Sequence, residues 1–317
     1  MRARNLFKNF SVLSLTLVLS GLCLAQSTAA APQTKEKSAN TAPSATKTSG
    51  AKGVLWEIKS KSNTAYMFGS IHLAKADFYP LPKAAEQAYQ RAQHLVVEVD
   101  VSDPGIQQKS MPLFSYQAPD KLQNHVKEAT WQKLTGLLGP NAENLQSIKP
   151  AIAATALSLV NFRQLGYDPA KGIDLHFLQK AKADKKTVIA LETVEFQAGV
   201  LGSLSDDEGD DVLSYTLDAI KSGEILHDSE AMVNAWRQGD AEGLAKILYE
   251  TAQKNQGSKR IMKLLLDDRN VGMSEKIIDL LNAGKKIFIV VGAGHTTGEN
   301  SIIDLLQKQG LQVRQVK

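Results

Sequence analysis

An α/β fold, with a central mixed β-sheet flanked by helices and interrupted by a largely helical insertion, is predicted by three observations. From residue 53 onward, short β-rich runs stand near both ends of the chain, separated by helical patterns. The stretches 120–166 and 206–282 read as helix almost throughout. KIFIVVG, at 286–292, is continuously apolar, as a strand covered on both faces must be.

VLWEIKS and TAYMFGSI read as paired strands joined by a polar turn at Ser62 and Asn63. A helix follows over 82–93, opened by Pro82, where a missing N–H costs nothing. LVVEVD, 95–100, has the composition of a buried strand, and PAIAATALSLVNFRQLG that of a core helix. After Gly172 a helix runs to about Lys185, and TVIALE, 187–192, is the next strand. Helices over 206–282 are punctuated by Gly209, Gly223 and Gly239 and end at LNAGKK, a glycine stop beside basic residues. The apolar strand, the helix SIIDLLQKQG and a short edge strand LQVRQV close the chain. No solenoid repeat is present.

The N-terminus addresses the chain rather than folding with it. Arg2, Arg4 and Lys8 lead into the apolar run at 11–25, shorter than the roughly 20 residues that span a bilayer and followed by small residues suited to cleavage. We read 1–25 as a signal peptide, which makes the protein periplasmic or secreted with no stable membrane anchor in its mature form. Cys23 lies within it, so the mature chain has neither disulfide nor thiolate metal site. Residues 26–52, rich in Ala, Ser, Thr and Lys, lack the apolar content to fold and read as a linker. That leaves 53–317 as one domain. The net charge of +4 sits in the first 50 residues; 51–317 carry −1, no electrostatic footprint for nucleic acid.

Ligands of such sheets bind outside the carboxyl ends of the strands, and that rule selects His72, Glu98, Glu192 and His295. Each has an ordinary reading alone: a satisfied histidine, or a helix cap for Glu192. Glu98 stands out, because VVEVD places a carboxylate where its neighbours demand burial, and a buried carboxylate needs a cation or a proton. Two imidazoles and a carboxylate suit a divalent ion with open coordination positions, Mn²⁺, Co²⁺ or Zn²⁺, leaving a further carboxylate as general base. No HExxH pair is present. Gly69 and Gly292 each precede a histidine by three residues and permit a close approach. DDEGDD, 206–211, lacks calcium-loop spacing and reads as an acidic first helical turn. His94, His125 and His227 read as solvated residues of polar helices.

GSIHLA, VVEVD, GIDLHFLQKAKADKKTVIALET, DDRN and VGAGHTTGENSIIDLLQKQG, in this order and spacing, resemble the TraB/GumN family across the whole mature domain. That family is related to the Tiki metalloproteases and, more distantly, to erythromycin esterases and ChaN-like haem-binding proteins, which implies a fold of that kind. The resemblance makes His72 and His295, each in a G-x-x-H motif, the metal or catalytic histidines and Glu98 the acidic member. It also selects Gly172, Asp174, Glu192, Arg269 and Asn270. For Asp174 a helix N-cap, and for Arg269 an intrahelical pair, are the competing readings. The reading is a metal-dependent hydrolase of peptides or related amides and esters, with Glu192 as base or support and Arg269 and Asn270 as polarising groups. Its rivals are a metal-independent, esterase-like hydrolase and a non-catalytic protein binding a peptide or haem; the oligomeric state stays open.

Overall fold

The computed structural model describes residues 50–253 and 256–317. The expected signal peptide and most of the expected linker lie outside the described residues. Of that linker, residues 50–52 are described: Ala51 is buried and the Lys52 N–H donates to Arg237 O at 2.8 Å.

The chain opens with the expected hairpin, β1 (Val54–Lys59) and β2 (Thr64–Ser70), and goes on to α1 (Lys83–Arg91), β3 (His94–Val97) and α2 (Ile106–Phe114). α3 (Glu128–Leu138), α4 (Pro150–Gln164) and α5 (Ile173–Ala183) lead to β4 (Thr187–Ala190). The insertion follows as α6 (Val194–Gly202), α7 (Asp206–Ser222), α8 (Glu224–Gln238), α9 (Ala241–Ala252) and α10 (Gln256–Met262). A π-helical turn, Lys263–Asp267, joins α10 to α11 (Asp268–Asn282), and β5 (Ile287–Gly292), α12 (Ile302–Lys308) and β6 (Gln312–Val316) close the domain.

These strands form one mixed sheet in the order β4-β3-β5-β2-β1-β6. β4, β3, β5 and β2 run parallel, and β1 is antiparallel to both its neighbours. Side chains alternate across the pleat, so both faces are apolar. Leu95, Val97, Phe288 and Val290 enter a core with Phe177, Tyr89 and Trp236, while Val96, Ile289 and Val291 meet Met273, Ile277 and Ile302 on the other side. β5 is central, and β6 an edge, as the sequence predicts.

Three details differ from expectation, and α2 is an element for which the sequence reading has no counterpart. β3 stops at Val97, so Glu98 stands just past the strand rather than inside it. Gly209 does not break a helix: it lies inside α7, where an added Cβ would come 3.2 Å from Pro150 Cβ and hold α7 away from α4. α2 carries Pro112, a residue that argues against a helix, but Ile106 and Phe114 bury at its ends. His94 begins β3 instead of lying on a polar helix, and His125 is held between Asp120 and Asp206 at 2.8 and 2.9 Å. The acidic run 206–211 opens α7 as expected, with a capping box between Ser205 and Glu208.

Candidate active site

The carboxyl ends of β2, β3, β4 and β5 lie side by side, and the next few residues of each supply His72, Glu98, Glu192 and His295. Glycines set how closely these ends approach. A Cβ on Gly69 would stand 2.9 Å from Thr296 Oγ1 and 3.1 Å from Ala293 Cα, so its absence lets β2 press against the segment that carries His295. A Cβ on Gly172 would sit 2.2 Å from His72 O. With the Ile173 N–H donating to Ile71 O at 3.0 Å, this seats the start of α5 on the His72 backbone.

That contact aims Asp174. The N-cap of α5 is Gly172, not Asp174, whose carboxylate is free to turn inward. It accepts the Ser70 hydroxyl at 2.7 Å on Oδ1 and faces His72 Nδ1 at 2.8 Å with Oδ2. Burial alone would lower the His72 pKa; the charge and hydrogen bond of Asp174, with Glu98 beyond, outweigh it and raise the ring to about 9. The His72 side chain keeps 25 % exposure.

His295 follows β5 in a 3₁₀ turn, Ala293–Thr296, and is buried. Its Nδ1 lies 2.7 Å from Asn270 Oδ1, while the Asn270 amide nitrogen donates to Asn300 O at 2.9 Å. The second bond identifies the amide orientation, so Oδ1 accepts and His295 carries its proton on Nδ1 when neutral. His295 Nε2 then faces Glu98 Oε2 at 3.5 Å.

Glu98 is enclosed by donors. Oε1 accepts the Gly292 N–H at 2.6 Å, and Oε2 accepts Arg269 Nη2 at 2.5 Å and Gln197 Nε2 at 3.3 Å. Burial works to raise its pKa, but the His295 ring and the Arg269 guanidinium hold the carboxyl well below its ordinary range. Arg269 also grips Glu192, through Nε at 3.1 Å and Nη2 at 2.6 Å, and caps Leu265 O of the π-helical turn at 2.9 Å. The intrahelical pairing expected of DDR is therefore not how Arg269 is used.

Three contributors escape a sequence reading. Gln197 donates to Glu192 at 2.8 Å as well as to Glu98, and Ser70 orients Asp174. Lys276 reaches Leu191 O. Only Lys276 leaves a trace, two helical turns after Arg269 and so on the same face. His176 turns to Glu86 at 3.4 Å, outside the site.

Among the described residues, no group of three or more His, Asp or Glu side chains is already gathered around a metal position. The donor chemistry nevertheless suits a divalent ion. Each histidine has its Nδ1 occupied by an oxygen partner, the support that metal-binding imidazoles use, leaving Nε2 for the site. Gly292 leaves a cradle there: its missing Cβ would lie 3.3 Å from both His72 Nε2 and Glu98 Oε1.

The profile of the TraB/PrgY/gumN family matches residues 54–315. Metalloprotease TIKI1 of Danio rerio is 22 % identical over 315 residues, covering 82 % of this chain. The chain spans 62 % of that relative's length. A metalloprotease TIKI homolog of Nematostella vectensis is likewise 22 % identical, over 83 % of this chain and 67 % of its own. The uncharacterized protein YbaP of Shigella flexneri is 26 % identical, over 77 % of this chain and 88 % of its own. No solved structure gives a significant match.

Proposed function

The chain belongs to the TraB/PrgY/gumN family, and on that premise we propose that it is a metal-dependent hydrolase of peptides or related amides and esters, working in the periplasm or outside the cell. One observation carries the reading: His72 and His295, from opposite ends of the chain, have their Nδ1 atoms anchored and meet beside Glu98. Kinship to proteins named metalloproteases supports it.

In this reading His72, His295 and Glu98 hold a divalent ion, Mn²⁺, Co²⁺ or Zn²⁺, which when bound supplies Lewis acidity toward a carbonyl oxygen and lowers the pKa of water. Asp174 and Asn270 fix the ring orientations. Glu192, Arg269 and Asn270 then act behind the reacting groups: Arg269 balances two carboxylates, and Glu192 keeps Arg269 in place. The metal-free rival asks one histidine, His72 or His295, to accept a proton from water, and the charge on His72 counts against that residue. A ring raised to about 9 is already protonated at neutral pH, which leaves it without that capacity. A cation at Nε2 requires the neutral ring, so its binding releases that proton.

Calorimetry of the purified full chain with each of the three ions, in two buffers of different ionisation enthalpy, tests this. Binding with proton release at pH 7, lost in His72→Ala and His295→Ala, is expected, together with cleavage in a peptide library that Glu98→Gln abolishes. No binding of any ion sinks the metal reading. Binding without cleavage of any peptide or ester leaves a binding protein.

A further inference from the structure

The opposite end of the sheet carries a different kind of surface. Register places the residues just before β4, β3 and β5 in one row, since His94 pairs with both Thr187 and Ile287. Lys185 and Lys186 precede β4, Lys285 and Lys286 precede β5, and the β1–β2 turn brings Lys61 to the same end. The turn is tied there by Asn63, whose amide donates to Lys285 O at 2.9 Å. Arg91 ends α1 and Lys182 lies in the last turn of α5, at the same edge.

Lys186 is spent on the structure, donating to the Tyr89 and Ala92 carbonyls at 2.5 and 2.7 Å. The other six, Lys61, Arg91, Lys182, Lys185, Lys285 and Lys286, form no ion pair among the described residues, and all but half-buried Lys285 are exposed. Two acids share this end. Asp184 accepts the Tyr89 hydroxyl at 2.9 Å, and Asp279 is exposed on α11. The face is thus strongly cationic on a domain that carries −1 over residues 51–317. Five strands at about 4.8 Å spacing set the row at roughly 20 Å, about two screening lengths at 0.1 M salt, so a flat anionic surface feels these charges together.

We propose that this face docks peripherally on an anionic phospholipid surface, a role independent of the hydrolase reading. A nucleic acid fits less well: the exposed large aromatics, Phe196 and Tyr249, lie on α6 and α9, so the face has no stacking platform between its cations. Docked in this way, the carboxyl ends of the strands, with His72 and Glu98, face away from the lipid and remain open to substrate from the aqueous side.

Flotation of the mature chain, residues 26–317, with vesicles of phosphatidylcholine alone, or with 30 % phosphatidylglycerol, tests the proposal. Each basic residue at an anionic leaflet contributes about fivefold to partitioning. Lys182→Glu/Lys185→Glu/Lys286→Glu removes three such charges and adds three negative ones, so it loses at least about 100-fold of binding to the anionic vesicles, and 500 mM salt abolishes the wild-type signal. The control Lys83→Glu/Lys221→Glu/Lys246→Glu has the same net charge and retains most of it; thermal unfolding confirms that both variants are folded. Equal flotation with neutral vesicles, or equal loss in both triple variants, overturns the proposal. So does salt-sensitive retention on a DNA oligonucleotide, lost in the first variant, without vesicle binding.

Discussion

Arg269, 5 % exposed, holds Glu98 and Glu192 together from the far side of the sheet. Replacing it with Met strands two buried carboxylates, and a loss of about 3–5 kcal/mol is expected. Glu98→Gln leaves Arg269 paired with Glu192 and costs less, about 1–3 kcal/mol. Urea unfolding at pH 7 measures both, and equal losses would show that the Glu192 contact contributes nothing. His72 makes a pH-dependent prediction. Its pKa is raised from 6.5 to about 9, so its stabilisation is complete below pH 6.5 and fades as the pH rises through 9. The stability gap between metal-free wild type and Asp174→Asn therefore narrows over that range, leaving a remnant from the Ser70 bond. Chemical unfolding at pH 6, 7.5 and 9.5 reads it; a widening gap contradicts the pairing. Residue chemistry marked Glu98 in advance, because a carboxylate among valines demands a partner. That the partner is Arg269, 171 residues away, was not legible, since a charged helix offers Arg269 nearer acids.

At the scale of elements, the contact between α5 and the segment after β2 decides whether His72 meets Asp174. Gly172→Ala places a methyl 2.2 Å from His72 O, against backbone that cannot yield, and should cost about 3 kcal/mol or more. Gly136, within α3, has nothing within 4 Å of its would-be Cβ, so Gly136→Ala should stabilise by about 0.5–1 kcal/mol. Thermal unfolding of the pair checks both signs, and a stable Gly172→Ala protein would remove the steric account of this junction. Periodicity revealed the strands and long helices because their core faces repeat every two or about 3.6 residues. It missed α2, where Gly105 and Pro112 signal a turn and only burial of Ile106 and Phe114 sustains the helix.

For the molecule as a whole, the first and last strands are joined, and Glu57 is the joint. Buried on β1, it accepts Arg314 of β6 at 2.6 Å and the Tyr66 hydroxyl of β2 at 2.9 Å. The Arg314 bond is the main cause that lowers its pKa from 4.5 to about 2, against the opposing effect of burial. A depressed pKa means stability present above pH 4.5 and lost as the pH falls toward 2. Since Arg314 is largely exposed and screened, no more than about 1 kcal/mol is expected. Wild type should exceed Glu57→Gln by that amount at pH 6 and converge with it near pH 2; a gap constant with pH would assign the difference to packing.

The order of apolar and polar residues determined the α/β class, the hairpin, the central place of β5 and the strand ends where polar side chains gather, because each depends on local periodicity and on a general rule of strand direction. The family motifs singled out the same histidines. Only the tertiary structure decided which polar groups meet: Asp174 with His72, Asn270 with His295, and Arg269 with both glutamates. These pairings depend on close approaches at Gly69, Gly172 and Gly292, where the absence of a side chain sets the distance between segments remote in sequence.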